Sequence, residues 1–100
     1  MIDFSNMLGK PLLHSYVPAD QASITFVFQD GMRRSFGAVN AGGTRVSITK
    51  GSTVPVESAL VFSHVTYPLD SNDGVDFFSS QVAGIQVRFP AGSTLIELPE

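Results

Sequence analysis

Cysteine is absent from this chain. There is therefore no disulfide framework, no thiolate nucleophile and no thiolate metal site. Charge is scarce: 15% of the residues are charged, and the formal net charge is −3. That balance gives no whole-protein attraction to nucleic acid or to an anionic membrane, so neither is expected as a partner. No apolar run approaches the roughly 20 residues of a membrane span. The opening Met1-Ile2-Asp3 shows no basic and apolar leader pattern, which sets the expectation of a cytoplasmic location. Catalytic signatures are also missing. No G-x-S-x-G elbow occurs, and His14 and His64 lie far outside zinc-ligand spacing. No cofactor motif is present, and a non-enzymatic role is expected.

What is present is apolar and β-forming. Hydrophobic residues make up 43% of 100 residues, which excludes a disordered chain. One domain over residues 1–100 is expected, large enough to bury roughly two-thirds of its unfolded surface. The pattern predicts the mostly β class, with α+β as its neighbour. The architecture is a small antiparallel sheet, barrel or sandwich of about six to eight strands, with one or two short helices.

The elements can be placed by pattern. Asp3 to Gly9 reads as a short helical segment with Phe4, Met7 and Leu8 on one face and Gly9 ending it. Strands are expected over 12–17, 23–29, 32–39, 44–50, 61–67, 75–79, 82–89 and 94–98. Asp30-Gly31 suits a two-residue hairpin, which would set Phe28 opposite Arg33; a longer loop would flip the faces. Turns are expected at 18–20, 40–43, 51–52 and 90–92, and a short helix at 56–60. The predicted core holds Phe26, Phe28, Ile48, Ile85, Val87 and Phe89.

Two stretches look alike: "LLHSYVPAD" at 12–20 and "LVFSHVTYPLD" at 60–70. The likeness extends to "ITFVF" against "VDFF", and to "GSTVPVE" against "GSTLIE". A degenerate duplication, with repeats 1–57 and 58–100, accounts for this. So does chance reuse of strand and turn residues. In extended strands His14 and Tyr16 share a face, whereas His64 and Tyr67 do not. A duplicated fold element fits that mismatch better than a duplicated catalytic site.

Charge distribution supplies the candidate site. Residues 31–50 contain Arg33, Arg34, Arg45 and Lys50 and no acid, while residues 51–87 contain Glu57, Asp70, Asp73 and Asp76 and no lysine or arginine. The "NAGG" turn lies inside the basic stretch. Arginine forks and the N–H groups of Gly42 and Gly43 are suited to hold a phosphate or carboxylate. The candidate ligand-binding residues are therefore Arg33, Arg34, Gly42, Gly43, Arg45 and Lys50. The plainer alternative is that the arginines are solvated strand residues guarding a sheet edge. The loop with Asp70, Asn72, Asp73 and Asp76 offers oxygen ligands, but without EF-hand spacing. No metal site is assigned to it.

Residues 3–36 resemble the opening of a family of small phage and bacterial proteins of unknown function. The match rests on Leu8-Gly9-Lys10, the strand Ile24 to Phe28, and Asp30-Gly31. That family continues with an Asp-Cys-Cys motif, where this chain has "VNAGGTRVSI", so nothing the cysteine pair does is carried over. The resemblance implies a phage or mobile-element setting, a mostly β or α+β fold, and no reaction. The expected function is an accessory or anti-defence protein in the host cell. It would bind a host protein or sequester an anionic small molecule. The alternative is a virion head, tail or baseplate component that self-assembles through strand edges. Homo-oligomers are expected in either case.

Overall fold

The computed structural model describes residues 2–52, 60–67, 74–79 and 84–99. Among them the chain forms nine strands in two antiparallel sheets that do not close into a barrel. The mostly β expectation holds, with one strand more than the upper expected number. Of the helix predicted at 56–60, all but Leu60 lies outside the described residues, as do positions 70–73 of the acidic loop and the start of the 82–89 strand. No described helix is long and apolar enough to cross a membrane.

The first sheet holds β1 (Leu12–Tyr16), β2 (Ile24–Phe28), β3 (Arg33–Val39) and β9 (Thr94–Leu98). β9 pairs with β3 along Ser35–Val39. β2 takes the first part of the other β3 edge, and the two-residue β4 (Arg45–Val46) takes the end of it. The second sheet runs β5 (Thr49–Ser52), β8 (Ile85–Arg88), β7 (Gly74–Ser79), β6 (Phe62–Thr66).

Aromatic rings from both sheets meet between them. Phe26 and Phe36 come from the first sheet, Phe62 and Phe77 from the second. Ring centroids lie 4.7 Å apart for Phe26 and Phe77 and 5.7 Å for Phe26 and Phe62. All six predicted core residues are buried. The N-terminal segment forms a single 3₁₀ turn at Ser5–Met7. It places Phe4 against Phe36, Tyr67 and Phe77 and buries Met7, while Leu8, expected on the same face, is 40% exposed.

Two local readings are corrected. The 44–50 stretch is not one strand. It breaks after Val46, buries Ile48 as the chain crosses between sheets, and resumes as β5, which absorbs the turn expected at Gly51-Ser52. The hairpin at Asp30-Gly31 is also longer than two residues. Phe28 N–H donates to Met32 O, leaving Gln29, Asp30 and Gly31 as the loop, and Gly31 has φ +92°. This is the three-residue hairpin in which glycine takes the left-handed position. The extra residue sets Val27 opposite Arg33 and Phe26 opposite Arg34. Arg34 thereby turns inward and Arg33 outward.

Asp30 fixes that loop. Its Oδ1 accepts from Met32 N–H at 2.9 Å, and its Oδ2 lies 2.9 Å from Lys10 Nζ. The Lys10 ammonium first, and the Met32 N–H second, hold the Asp30 carboxyl below the ordinary carboxylate range. A depressed folded-state value stabilises the fold above the unfolded value of about 3.9 and loses that contribution as pH falls through the folded value. Wild-type melting temperature should therefore drop more steeply below about pH 4 than that of Asp30→Asn. Parallel curves from a pH series of melts would show that this carboxylate contributes nothing.

The two halves share a register. Thr25 pairs with Ser35 and Asp76 with Gln86, each pair 51 positions from its counterpart. His14 and His64 each follow a β-bulge, after Leu12 and Phe62 respectively. Each half builds three main strands of one sheet, the first half adding the two-residue β4, and sends its last strand to the other: β5 joins β8, and β9 joins β3. Pro11 and Val61 bridge where the halves meet. In this frame Tyr67 stands where Val17 does, and Thr66 where Tyr16 does. Equivalent histidines thus have different aromatic neighbours: Tyr16 stacks on His14, and Phe78 on His64.

Candidate functional site

The six residues singled out by charge do not form one cluster. Arg34 is 7% exposed and faces the interior. Its Nε and Nη2 donate to the two Glu97 carboxylate oxygens at 2.7 and 2.6 Å, and its Nη1 to Asp3 O and Asn6 Oδ1. The guanidinium also lies over the Phe4 and Phe36 rings. Arg34 thus ties β3, β9 and the N-terminal segment together.

Gly42 and Gly43 lie in a turn held by its own asparagine. Asn40 Oδ1 accepts from Gly42 and Thr44 N–H, and Asn40 O from Gly43 N–H. The N–H groups expected to face an anion are bonded within the turn.

Arg33 and Arg45 do share a face, the outer side of the first sheet. Strand alternation puts Arg33, Ser35, Gly37 and Val39 on that side, and Val39 pairs with Arg45. The Arg45 guanidinium rests on Gly37, where a Cβ would come within 2.8 Å of it, and it donates to Ala22 O. Thr25 and Ser35 hydroxyls bond at 2.8 Å beside it. The equivalent position to Gly37 in the second sheet is Arg88, which donates to Gln86. That face carries Asp76 as well, so its charges are mixed.

Lys50 belongs to neither group. It stands on β5, and its ammonium reaches across to β1, donating to Ser15 O at 3.0 Å and Ser15 Oγ at 3.1 Å. A cleft of about 700 Å³ opens there, lined by Ser15, Tyr16, Val17, Gln21, Thr49 and Lys50 among others. Gln21 is the one described non-glycine residue with positive φ, at 55°. It is held there from both sides: its N–H donates to Pro18 O, and its carbonyl accepts from Ile48 N–H. A side chain forced into this sparsely populated region is an observation that points toward a functional position.

The shared register supplies an internal control for this cleft. Lys50 pairs with Val87 and Glu97 with Phe36, and Val87 and Phe36 are counterparts. The second cleft, of about 500 Å³, is lined by Ile2, Asp3, Tyr67 and Glu97 among others. There the equivalent of Lys50 is an acid, Glu97, neutralised by Arg34, and Leu95 N–H donates to Tyr67 Oη. The counterpart of Arg34 is the apolar Ile85, and Lys50 has no carboxylate partner among the described residues. The second cleft carries two acids, Asp3 and the Glu97 that Arg34 pairs, while the first presents an ammonium beside the Ser15 hydroxyl with no carboxylate partner among the described residues.

Sequence reasoning identified Lys50 but missed Ser15, Gln21 and Thr49. Ser15 lies 35 positions from Lys50, and no local pattern announces the meeting. Comparison with known proteins finds no matching protein-family model, no matching curated protein and no matching solved structure, so the reading of this cleft rests on its own geometry.

Proposed function

We propose that this chain is a non-enzymatic binding protein that sequesters an anionic small molecule in the cleft between β1 and β5. The observation that carries this is the Lys50 ammonium, set in a concave site with no acidic partner among the described residues, while its counterpart Glu97 is paired. A cleft of this size is in the range of small-molecule sites. The resemblance of residues 3–36 to small phage and bacterial proteins supports a phage-encoded accessory or anti-defence role for this binding.

A serine hydroxyl beside a lysine amine also raises a catalytic reading. Serine–lysine chemistry needs a desolvated lysine to take the proton. Lys50 is solvent-exposed, and its ammonium also donates to a backbone carbonyl. That arrangement suits holding an anion rather than activating a nucleophile.

Inorganic phosphate is expected to raise the melting temperature of the protein in a saturable way. Lys50→Gln should weaken phosphate binding about tenfold, the loss of one charge-assisted contact, with the fold unchanged. Arg45→Glu should leave it nearly unaffected, because Arg45 lies on the outer face. Loss of binding in Arg45→Glu but not in Lys50→Gln would move the site to the Arg33 and Arg45 face. No phosphate effect at any concentration would overturn the proposal.

A further inference from the structure

The outer face of the first sheet is a second surface, on the side opposite the cleft. We propose that it docks an acidic protein segment, whose carboxylates meet Arg33 and Arg45 and whose other side chains pack beside the rings of His14 and Tyr16. Strand pairing builds this surface in rows. His14, Val27 and Arg33 lie side by side across β1, β2 and β3, and Tyr16, Thr25 and Ser35 form the next row. Two strand spacings put the Cα atoms of His14 and Arg33 roughly 10 Å apart. The His14 and Tyr16 rings stack on each other, with centroids 5.8 Å apart and planes 28° apart. Both residues are exposed.

The two arginines are held differently, and both leave donors open. Arg33 is exposed and has no hydrogen-bond or ion-pair partner among the described residues. Arg45 is seated. Its Nη2, Nε and Cζ lie 2.8, 2.9 and 3.0 Å from where a Gly37 Cβ would stand, so the guanidinium lies over the glycine. Glycine inside a strand often marks such a close approach. Only Nη2 of Arg45 is spent, on Ala22 O. No acid opposes either arginine on this face. The one acid on these strands, Glu97, stands opposite Phe36 and is turned to Arg34. The acids of the flanking turns are committed: Asp20 Oδ1 accepts from Ala22 N–H, and Asp30 pairs with Lys10.

Charge and composition together select the occupant. A cationic face without acids complements an anionic partner, and arginine forks match carboxylates and phosphates alike. The net charge of −3 opposes a long polyphosphate chain. The face also presents half-buried Ile96 and Leu98, opposite Gly37 and Ser35, and it carries no lysine. Tyrosine and arginine beside aliphatic side chains, with lysine depleted, is the composition of protein–protein interfaces and their hot spots. The second sheet serves as a control. On its outer face Gly84 stands where Arg33 does, Thr66 where Tyr16 does, and Asp76 where Thr25 does. Both sheets keep a stacked histidine. Only the first combines it with unopposed arginines.

Titration of the full chain at low salt with a random glutamate–tyrosine copolymer, with poly-L-glutamate and with oligothymidylate tests this. The copolymer should bind more tightly than poly-L-glutamate, and its binding should weaken as salt is raised. Arg33→Gln should weaken copolymer binding about tenfold, the loss of one charge-assisted contact. Its melting temperature should not change, because Arg33 holds no other residue. Arg88→Gln removes the same charge from the other sheet and should leave copolymer binding unchanged. Tyr16→Leu should erase the advantage of the copolymer over poly-L-glutamate. Equal losses in Arg33→Gln and Arg88→Gln would show attraction by overall charge and overturn the docking face, as would a copolymer that does not bind. Equal binding of the two polypeptides to the wild type would remove the ring pair from the surface. Oligothymidylate that binds more tightly than the copolymer, and is lost in Arg33→Gln, would overturn the protein assignment in favour of a nucleic acid. None of these results alters the phosphate-dependent melting that tests the cleft.

Discussion

Replacing Phe77 with Ala is expected to lower the unfolding free energy by about 3–5 kcal/mol, the range for removing a buried phenylalanine side chain. Phe77 is 1% exposed. Its ring meets Phe4, Phe26, Phe36 and Phe62. Those four come from the N-terminal segment, β2, β3 and β6, so one cavity would loosen both sheets and the segment that closes their end. A domain of this size has roughly 5–15 kcal/mol in total, and the loss would be a large share of it. Because each half gives its last strand to the other sheet, the halves are not expected to melt separately. Chemical denaturation should show one transition, displaced to lower denaturant with an unchanged slope. Two resolved transitions, or a shift below about 1 kcal/mol, would show that the ring cluster is not the shared core.

The strand pattern was legible because it is written in single residues. Ile24, Phe26 and Phe28 alternate with smaller partners, and Ile85, Val87 and Phe89 do the same. Both sets are buried as that alternation requires. The final strand at 94–98 was placed to the residue. What failed depended on counts of one residue or on distant pairings. One extra loop residue at Gln29 decides that Arg34 faces the core rather than solvent, and Asp-Gly suits either loop length. The break between Val46 and Thr49 is set by the crossing from one sheet to the other. The apolar spacing of Val46 and Ile48 gives no sign of it.

The candidate site was legible only as a surplus of basic residues. Their separation into an interior tie, an outer face and a cleft follows from alternation, so charge counted along the chain overstated their proximity. Asn40 was missed as the residue that closes the glycine turn. Gln21 was missed because glutamine carries no signal for a left-handed backbone. It is held there by Pro18 O and by Ile48 N–H, the latter 27 positions away.

Replacing Glu97 with Leu tests whether Arg34 belongs to the fold. The two partners are unequally placed: the Arg34 side chain is 8% exposed and that of Glu97 is 40%. Removing the glutamate strands the more deeply buried charge, leaving Arg34 only Asp3 O, Asn6 Oδ1 and the faces of Phe4 and Phe36. Breaking a buried pair in this way costs about 3–5 kcal/mol, and the partial exposure of Glu97 places this case near about 3 kcal/mol. The double replacement Arg34→Met with Glu97→Leu removes both charges and should recover most of that loss, because an apolar pair of similar volume needs no desolvated partner. The comparison is read from denaturation midpoints of the two variants against wild type. A single variant as unstable as the double would mean that the carboxylate acts by packing alone. A single variant with an unchanged midpoint would show that Arg34 does not need Glu97, and would return its guanidinium to the candidate ligand-binding residues.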